Sequence, residues 1–122
     1  MSVESKIYIV APSNQRNKEV GKYWAETLAV FNLGYVDELQ DVNKRYKQTS
    51  YYIYADDGDT EILEDKYGDE LTELTLDQLM YELTIMDGKV AVSRRAATLL
   101  SALLTIRKNY DDGDILCLHY GY

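Results

Sequence analysis

The stretch SRRAATLLSALLTIRK, Ser93 to Lys108, decides the fold expected for this chain. Its apolar residues recur at helical spacing and form one broad face. Arg107 and Lys108 stand near its end, where positive charge interacts favourably with the helix dipole. The pattern predicts a core helix that Ser93 opens. The apolar residues of this face are Ala96, Ala97, Leu99, Leu100, Leu103, Leu104 and Ile106.

Three stretches elsewhere in the chain predict strands, because each is rich in β-branched and aromatic residues. The first is KIYIVA, Lys6 to Ala11, which we expect to be closed by Pro12 and the polar run after it. The second is YYIYA, Tyr51 to Ala55, and the third runs from Ile115 to Tyr120. These strands predict one sheet against which the helix packs.

Two further helices are predicted, and one segment remains ambiguous. Thr75 to Met86 has a capping threonine, an apolar stripe and Gly88 as a stop. Asp37 to Tyr46 has an acidic start and a basic finish, as in a short helix. Val20 to Phe31 fits either a helix or a strand. The expected fold is therefore α+β, a small mixed sheet with about three helices in a single domain, 1–122.

Composition places the chain among ordinary globular proteins. It has 122 residues, 46% of them apolar and 28% charged, which is too apolar for a fully disordered chain. Cys117 is the only cysteine, so no disulfide can form within the chain. The first ten residues lack the pattern of a secretory signal, and no apolar stretch is long enough to span a membrane. We expect a protein of the host-cell cytoplasm with no membrane partner.

The negative charge is concentrated in the middle of the chain. The formal net charge is −8, yet residues 51–88 hold twelve acidic residues against Lys66 alone. The segments before and after them carry small positive net charges of +1 and +2. The acidity is therefore a local feature, and direct binding to nucleic acid is not expected.

Such a block of carboxylates is typical of a solvated face, of a divalent-metal loop or of a mimic of nucleic acid. A calcium loop that starts at Asp57 would need glycine at its sixth position and glutamate at its twelfth, but Ile62 and Gly68 stand there. We therefore predict no metal site and no cofactor. Mimicry instead requires carboxylates spread over more than one element, so that a groove made for DNA accepts the protein. The acids assigned to this partner-binding surface are Asp56, Asp57, Asp59, Glu61, Glu64, Asp65, Asp69, Glu70, Glu73, Asp77 and Glu82.

The sequence offers little for catalysis. His119 is the sole histidine, and no motif near it supplies a nucleophilic partner. The glycines are scattered and form no phosphate-binding loop. We predict that the protein is not an enzyme and has no catalytic residue. An alternative nucleotide-binding site would use the basic residues of the last helix, which are Arg94, Arg95, Arg107 and Lys108.

Over roughly residues 6–85 the order of elements resembles the ArdA antirestriction family. The similar segments are Ile7 to Ala11, Val20 to Trp24 with its Gly-then-Trp pattern, and the helix from Asp37 to Tyr46. They continue with the aromatic strand Tyr51 to Asp56 and the helix LTLDQLMYEL, Leu74 to Leu83. The helix and strand over residues 89–122 lie outside this resemblance.

The resemblance implies a function without catalysis. It implies a phage or mobile-element anti-defence protein, an inhibitor and DNA mimic whose acids occupy the DNA channel of a host-defence complex of the restriction-modification or CRISPR type. It also implies a homodimer. Two alternatives remain open. One is a sponge that sequesters a signalling nucleotide of host immunity. The other is a nucleoside deoxyribosyltransferase-like enzyme, because KIYIVAP followed by a polar loop looks like the opening of those enzymes.

Overall fold

The computed structural model describes residues 4–35, 42–55, 58–64, 66, 68, 70–87, 94–111 and 113–121. Its elements are β1 (Glu4–Asn17), β2 (Lys22–Tyr35), α1 (Val42–Arg45), β3 (Tyr51–Tyr54), β4 (Glu61–Ile62), β5 (Thr72–Thr75), α2 (Leu76–Asp87), α3 (Arg94–Asn109) and β6 (Leu116–Gly121). The strands form one six-stranded sheet in the order β4-β3-β2-β1-β6-β5. Only β2 and β3 run parallel; the other neighbours are antiparallel. The predicted α+β class with a mixed sheet is confirmed.

The centre of the sheet is a long hairpin of β1 and β2. Gly21 lies in the turn between them with φ of 69°, a conformation that glycine adopts without steric cost. The segment Val20 to Phe31, which fitted either a helix or a strand, pairs with β1 and is a strand from Lys22 onward. The expected end of β1 at Pro12 is wrong, because the strand continues to Asn17. Pairing between β1 and β6 ends at Val10. Beyond Val10 that edge of β1 makes no strand pair, so the missing amide hydrogen of Pro12 costs no hydrogen bond there.

The sheet curls until its β5 edge meets the segment that leads into β3. The Thr49 amide donates to the Leu71 carbonyl at 2.8 Å, and the Glu73 amide donates to the Lys47 carbonyl at 3.0 Å. The same segment enters β3 at Tyr51, beside β2. β5 is therefore hydrogen-bonded on both edges, which explains why all of Thr72, Glu73 and Leu74 are buried.

Alternating side chains of the strands fill two cores. On one face Ile7, Ile9 and Cys117 pack against the apolar sides of α2 and α3. On the other face Val10 and Leu118 belong to a second core, which the curled sheet encloses. The remaining buried members of that second core are Ala25, Ile53, Leu71 and Leu116.

The two long helices are confirmed, with boundaries close to those predicted. The Gln78 amide donates to Thr75 Oγ1 at 3.1 Å and the Thr75 amide donates to Gln78 Oε1 at 2.9 Å, a reciprocal cap that starts α2. The proposed stop at Gly88 and the start at Ser93 lie outside the described residues. No helix in the described ranges is long and apolar enough to cross a membrane.

Among the described residues the expected third helix is only the single turn α1, so they contain two long helices, α2 and α3, and not about three. Residues 37–41 of the predicted segment lie outside the described residues. From Val42 the chain makes one turn, closed by the Tyr46 amide donating to the Val42 carbonyl at 3.0 Å. It then extends, because the backbone from Lys47 to Thr49 pairs with β5 and cannot continue a helix.

Candidate functional site: an acidic edge

Four of the predicted acids lie on one continuous stretch of chain beside the β4 edge of the sheet. We call this set the acidic edge: Asp59, Glu61, Glu64 and Glu70. Glu61 is half-buried on β4, and the other three are exposed. Glu64 and Glu70 are antiparallel bridge partners, so their backbones lie side by side although they are six positions apart in the sequence. The carboxylates thus come from adjoining segments and not from one loop tip.

Contacts with the hairpin and with β6 hold the acidic edge in place. Asn17 Nδ2 donates to Glu61 Oε1 at 2.9 Å, and Lys22 Nζ lies 3.9 Å from Glu70 Oε2. The Lys66 amide donates to the Gly121 carbonyl at the end of β6, at 3.1 Å. The stretch is therefore bonded to the sheet at three points, which limits the conformational entropy it would lose on binding.

A depression of about 460 Å³ lies beside the acidic edge. Glu61 and Glu64 line it together with Ile62, Leu63 and Tyr120. Apolar and aromatic walls with carboxylates beside them suit a long cationic side chain, whose stem packs on the walls while its charge meets the acids.

The remaining predicted acids do not join this surface. Glu73 and Glu82 are buried, at 6% and 4% exposure, and each is paired with a cation. Asp77 lies in the first turn of α2, where its Oδ1 is 3.1 Å from Arg107 Nε. Asp56, Asp57, Asp65 and Asp69 lie outside the described residues.

Glu82 ties α2 to the single turn α1. Its Oε1 accepts a hydrogen bond from Tyr46 Oη at 2.6 Å, and its Oε2 lies 3.0 Å from Arg45 Nη2. Burial, and then the bond to Glu82, raise the pKa of Tyr46 to about 12. This carboxylate therefore works inside the protein and is not available to a partner.

We expect Glu82→Gln to lower the free energy of unfolding by about 2 kcal/mol, because it weakens charge-assisted hydrogen bonds at a buried site. The matched change Asp77→Asn, at an exposed pair on the same helix, should cost less than about 1 kcal/mol. Urea denaturation of both variants measures the difference. Equal losses would contradict the assignment of Glu82 to the interior.

A second cavity, of about 540 Å³, lies where α1, β5 and α2 meet. It combines two cations with tyrosine rings and polar groups. One of these cations, Lys47, is already paired, since its Nζ lies 2.9 Å from Glu73 Oε2. The hydrogen bond from Lys47 to Glu73 raises the pKa of this lysine. The lining residues are Arg45, Tyr46, Lys47, Tyr51, Glu73, Thr75, Gln78, Gly113 and Leu116. Sequence reasoning missed this cavity, since four separate segments build it.

The four basic residues of the alternative nucleotide site are divided between the two ends of α3. Arg94 and Arg107 are thirteen positions apart, about 20 Å along a helix. Arg94 and Arg95 border a shallow depression beside β2, whereas Arg107 contacts Asp77. The structure therefore does not bring them into one pocket.

His119 has a partner that the sequence did not reveal. Its Nε2 lies 2.9 Å from Ser5 Oγ, across the pair of β1 and β6, and both residues are buried. Burial lowers the pKa of His119 to about 4, so the ring is neutral at pH 7. Burial also raises the pKa of the Cys117 thiol to about 12. These groups belong to the buried interior on the helix side of the sheet.

The structure defines a small α+β protein with a curled mixed sheet and an acidic edge. A scan against models of protein families finds no match, and neither do searches of curated proteins and of solved structures. The described residues contain no group of three or more potential metal ligands. The resemblance to the ArdA family stays a prediction from the order of sequence motifs.

Proposed function

We propose that this chain is a phage or mobile-element anti-defence protein that binds and blocks a DNA-handling host-defence complex by acidic DNA mimicry. The acidic edge carries the proposal. Its carboxylates lie on adjoining backbone segments that are bonded to the sheet, and three of the four side chains are exposed. A fixed row of negative charge is what a groove lined with Lys and Arg recognises in DNA.

The division of the acids between interior and surface supports this function. Glu73 and Glu82 are neutralised inside the protein by Lys47 and Arg45. At the acidic edge Lys66 is the one base of the described residues 58–70, and Lys22 of β2 pairs with Glu70 at 3.9 Å. Glu64 and Glu70 remain exposed to solvent at this surface, and their negative charge is what the proposed partner would meet.

The depression beside the acidic edge suggests how a basic groove would engage it. An arginine of the partner would place its guanidinium between Glu61 and Glu64, and its methylene groups would cover Tyr120. The mechanism needs no bond making or breaking. The protein competes with DNA for one groove, and its affinity falls as salt screens the charges.

Inhibition of DNA cleavage tests the proposal. The wild-type protein is titrated into cleavage reactions of a type I restriction enzyme and of a DNA-targeting CRISPR effector, with DNA as the varied competitor. We expect inhibition that excess DNA relieves and that weakens with rising salt. Inhibition of neither enzyme, or inhibition unaffected by DNA concentration, would refute DNA mimicry.

A nucleotide sponge is the second candidate, favoured by the cavity of about 540 Å³ with its tyrosines and cations. It ranks lower because Glu73 and Glu82 already neutralise Lys47 and Arg45, so a phosphate would have to displace them. A thermal-shift screen with cyclic and linear nucleotides separates the two functions, since only a sponge gains stability from a nucleotide. Incubation with deoxynucleosides in the same plates tests the deoxyribosyltransferase alternative through turnover.

A further inference from the structure

The cavity of about 540 Å³ borders the core that the curled sheet encloses. Leu116, which lines the cavity, is a member of that core, and Tyr51 of the lining packs against it. The cavity therefore has an apolar wall that continues the interior outward. Proteins commonly bind small molecules where an enclosing sheet opens in this way, on apolar walls with a few polar groups beside them.

The charged side chains of this lining are balanced. Glu73 is buried at 6% exposure, and Lys47 Nζ lies 2.9 Å from its Oε2. Arg45, the other cation of the lining, has its Nη2 3.0 Å from Glu82 Oε2. Each cation thus has a carboxylate, so an anion such as a phosphate gains little here. A ligand that carries one positive and one negative group, with no net charge, matches such a site better.

We propose that the cavity binds a free α-amino acid with an apolar side chain. The ammonium group of the ligand meets Glu73, because a carboxylate has about four acceptor positions and can hold a second cation beside Lys47. The ligand carboxylate meets Lys47, so that four groups of alternating charge close a ring. The ligand side chain covers Leu116 and the ring of Tyr51.

The start of α2 supports the same orientation of the ligand. Thr75 and Gln78, which cap this helix, both line the cavity. The N-terminal end of a helix carries partial positive charge, which favours a carboxylate nearby. The side chain of Lys47 is 77% exposed, so its ammonium group also reaches the outer part of the cavity. The ligand carboxylate therefore lies at the rim and the ligand ammonium group at the buried Glu73.

This site is separate from the acidic edge. The cavity shares no lining residue with the depression beside the acidic edge. Binding of an amino acid thus goes beyond DNA mimicry, and failure of either proposal leaves the other standing.

Isothermal titration calorimetry of the full chain with L-leucine, L-methionine and L-phenylalanine tests the site. We expect at least one of them to bind with a dissociation constant below about 1 mM. The decisive comparison uses analogues of the tightest binder that lack one charged group. For leucine, isocaproate lacks the ammonium group and isoamylamine lacks the carboxylate. Each analogue should bind at least about tenfold more weakly, because it leaves one charge of the site unmatched.

Absence of binding by all three amino acids would overturn the proposal, and so would an analogue that binds as tightly as the amino acid. A nucleotide that binds where no amino acid does would overturn it as well, and would assign the cavity to the nucleotide sponge.

Two matched variants locate the binding. Glu73→Gln and Asp77→Asn both replace a carboxylate by an amide, but only Glu73 lines the cavity. We expect Glu73→Gln to weaken binding by roughly tenfold or more, and Asp77→Asn, at an exposed pair, to change it by less than about twofold. Circular dichroism melting shows whether each variant folds. Unchanged affinity in a folded Glu73→Gln variant would contradict the proposal; if that variant does not fold, the analogues decide with the wild type alone.

Discussion

Leu99→Ala is expected to lower the free energy of unfolding by about 3 to 4 kcal/mol. Leu99 is fully buried on α3, in the core that this helix shares with α2 and the sheet. Truncation removes buried methyl and methylene groups and leaves a cavity that the surrounding β-sheet cannot fill by collapsing. Urea or guanidinium denaturation, followed by circular dichroism, measures the loss.

Leu104→Ala is the matched control, because it makes the same change five residues along the same helix. Leu104 is 52% exposed, so its truncation creates no buried cavity. The free energy of unfolding should therefore fall by less than about 1 kcal/mol. The helix propensities of the two variants are identical, and only burial differs. Equal losses at the two positions would show that α3 does not pack on the sheet through its Leu99 side.

Acid is expected to unfold the protein partly through His119. In the native state burial lowers the pKa of this ring to about 4, against 6.5 in the unfolded chain. Below pH 6.5 the unfolded chain binds a proton that the folded protein does not, so stability falls as the pH falls. The contribution of neutral His119 to the free energy of unfolding is complete above pH 6.5 and is lost by about pH 4. It amounts to roughly 3 kcal/mol.

His119→Gln isolates this effect from the protonation of carboxylates. Glutamine keeps a polar group near Ser5 Oγ but does not titrate. The free energy of unfolding between pH 7.5 and pH 4.5 should therefore fall about 2 to 3 kcal/mol further in the wild type than in the variant. Parallel pH profiles of the two proteins would contradict the burial of a neutral imidazole.

Several elements could be predicted because their signals are local. The strands that begin near Lys6 and Tyr51 and the helices α2 and α3 each carry their own periodicity in the sequence. β5 had no such signal. Its four residues, Thr72–Thr75, are a strand because β6 and the segment after α1 supply partners on both edges. Pairing between distant segments decides such strands, and one sequence does not show it.

The same limit applies to the candidate site. A count of acids cannot separate Glu73, whose Lys47 partner lies 26 residues away in the sequence, from Glu70, which is exposed. Local charge density indicated the stretch of chain that contains the acidic edge. Which carboxylates remain at the surface depended on the curl of the sheet, which buries β5 and leaves the β4 edge outside.

The charge of the acidic edge is the central claim, and paired charge reversals test it most directly. The variant Glu64→Lys with Glu70→Lys changes the acidic edge. Asp111→Lys with Asp114→Lys makes the same change in net charge at two exposed aspartates in the turn before β6. Thermal melting of both variants confirms that each one folds.

The measurement is the concentration of protein that halves DNA cleavage by the inhibited defence enzyme, at low and at physiological salt. The acidic-edge variant should need roughly tenfold more protein or more, and the Asp111 and Asp114 variant should stay within about twofold of the wild type. Equal inhibition by the two variants would contradict the account, because the effect would then depend on net charge and not on the acidic edge.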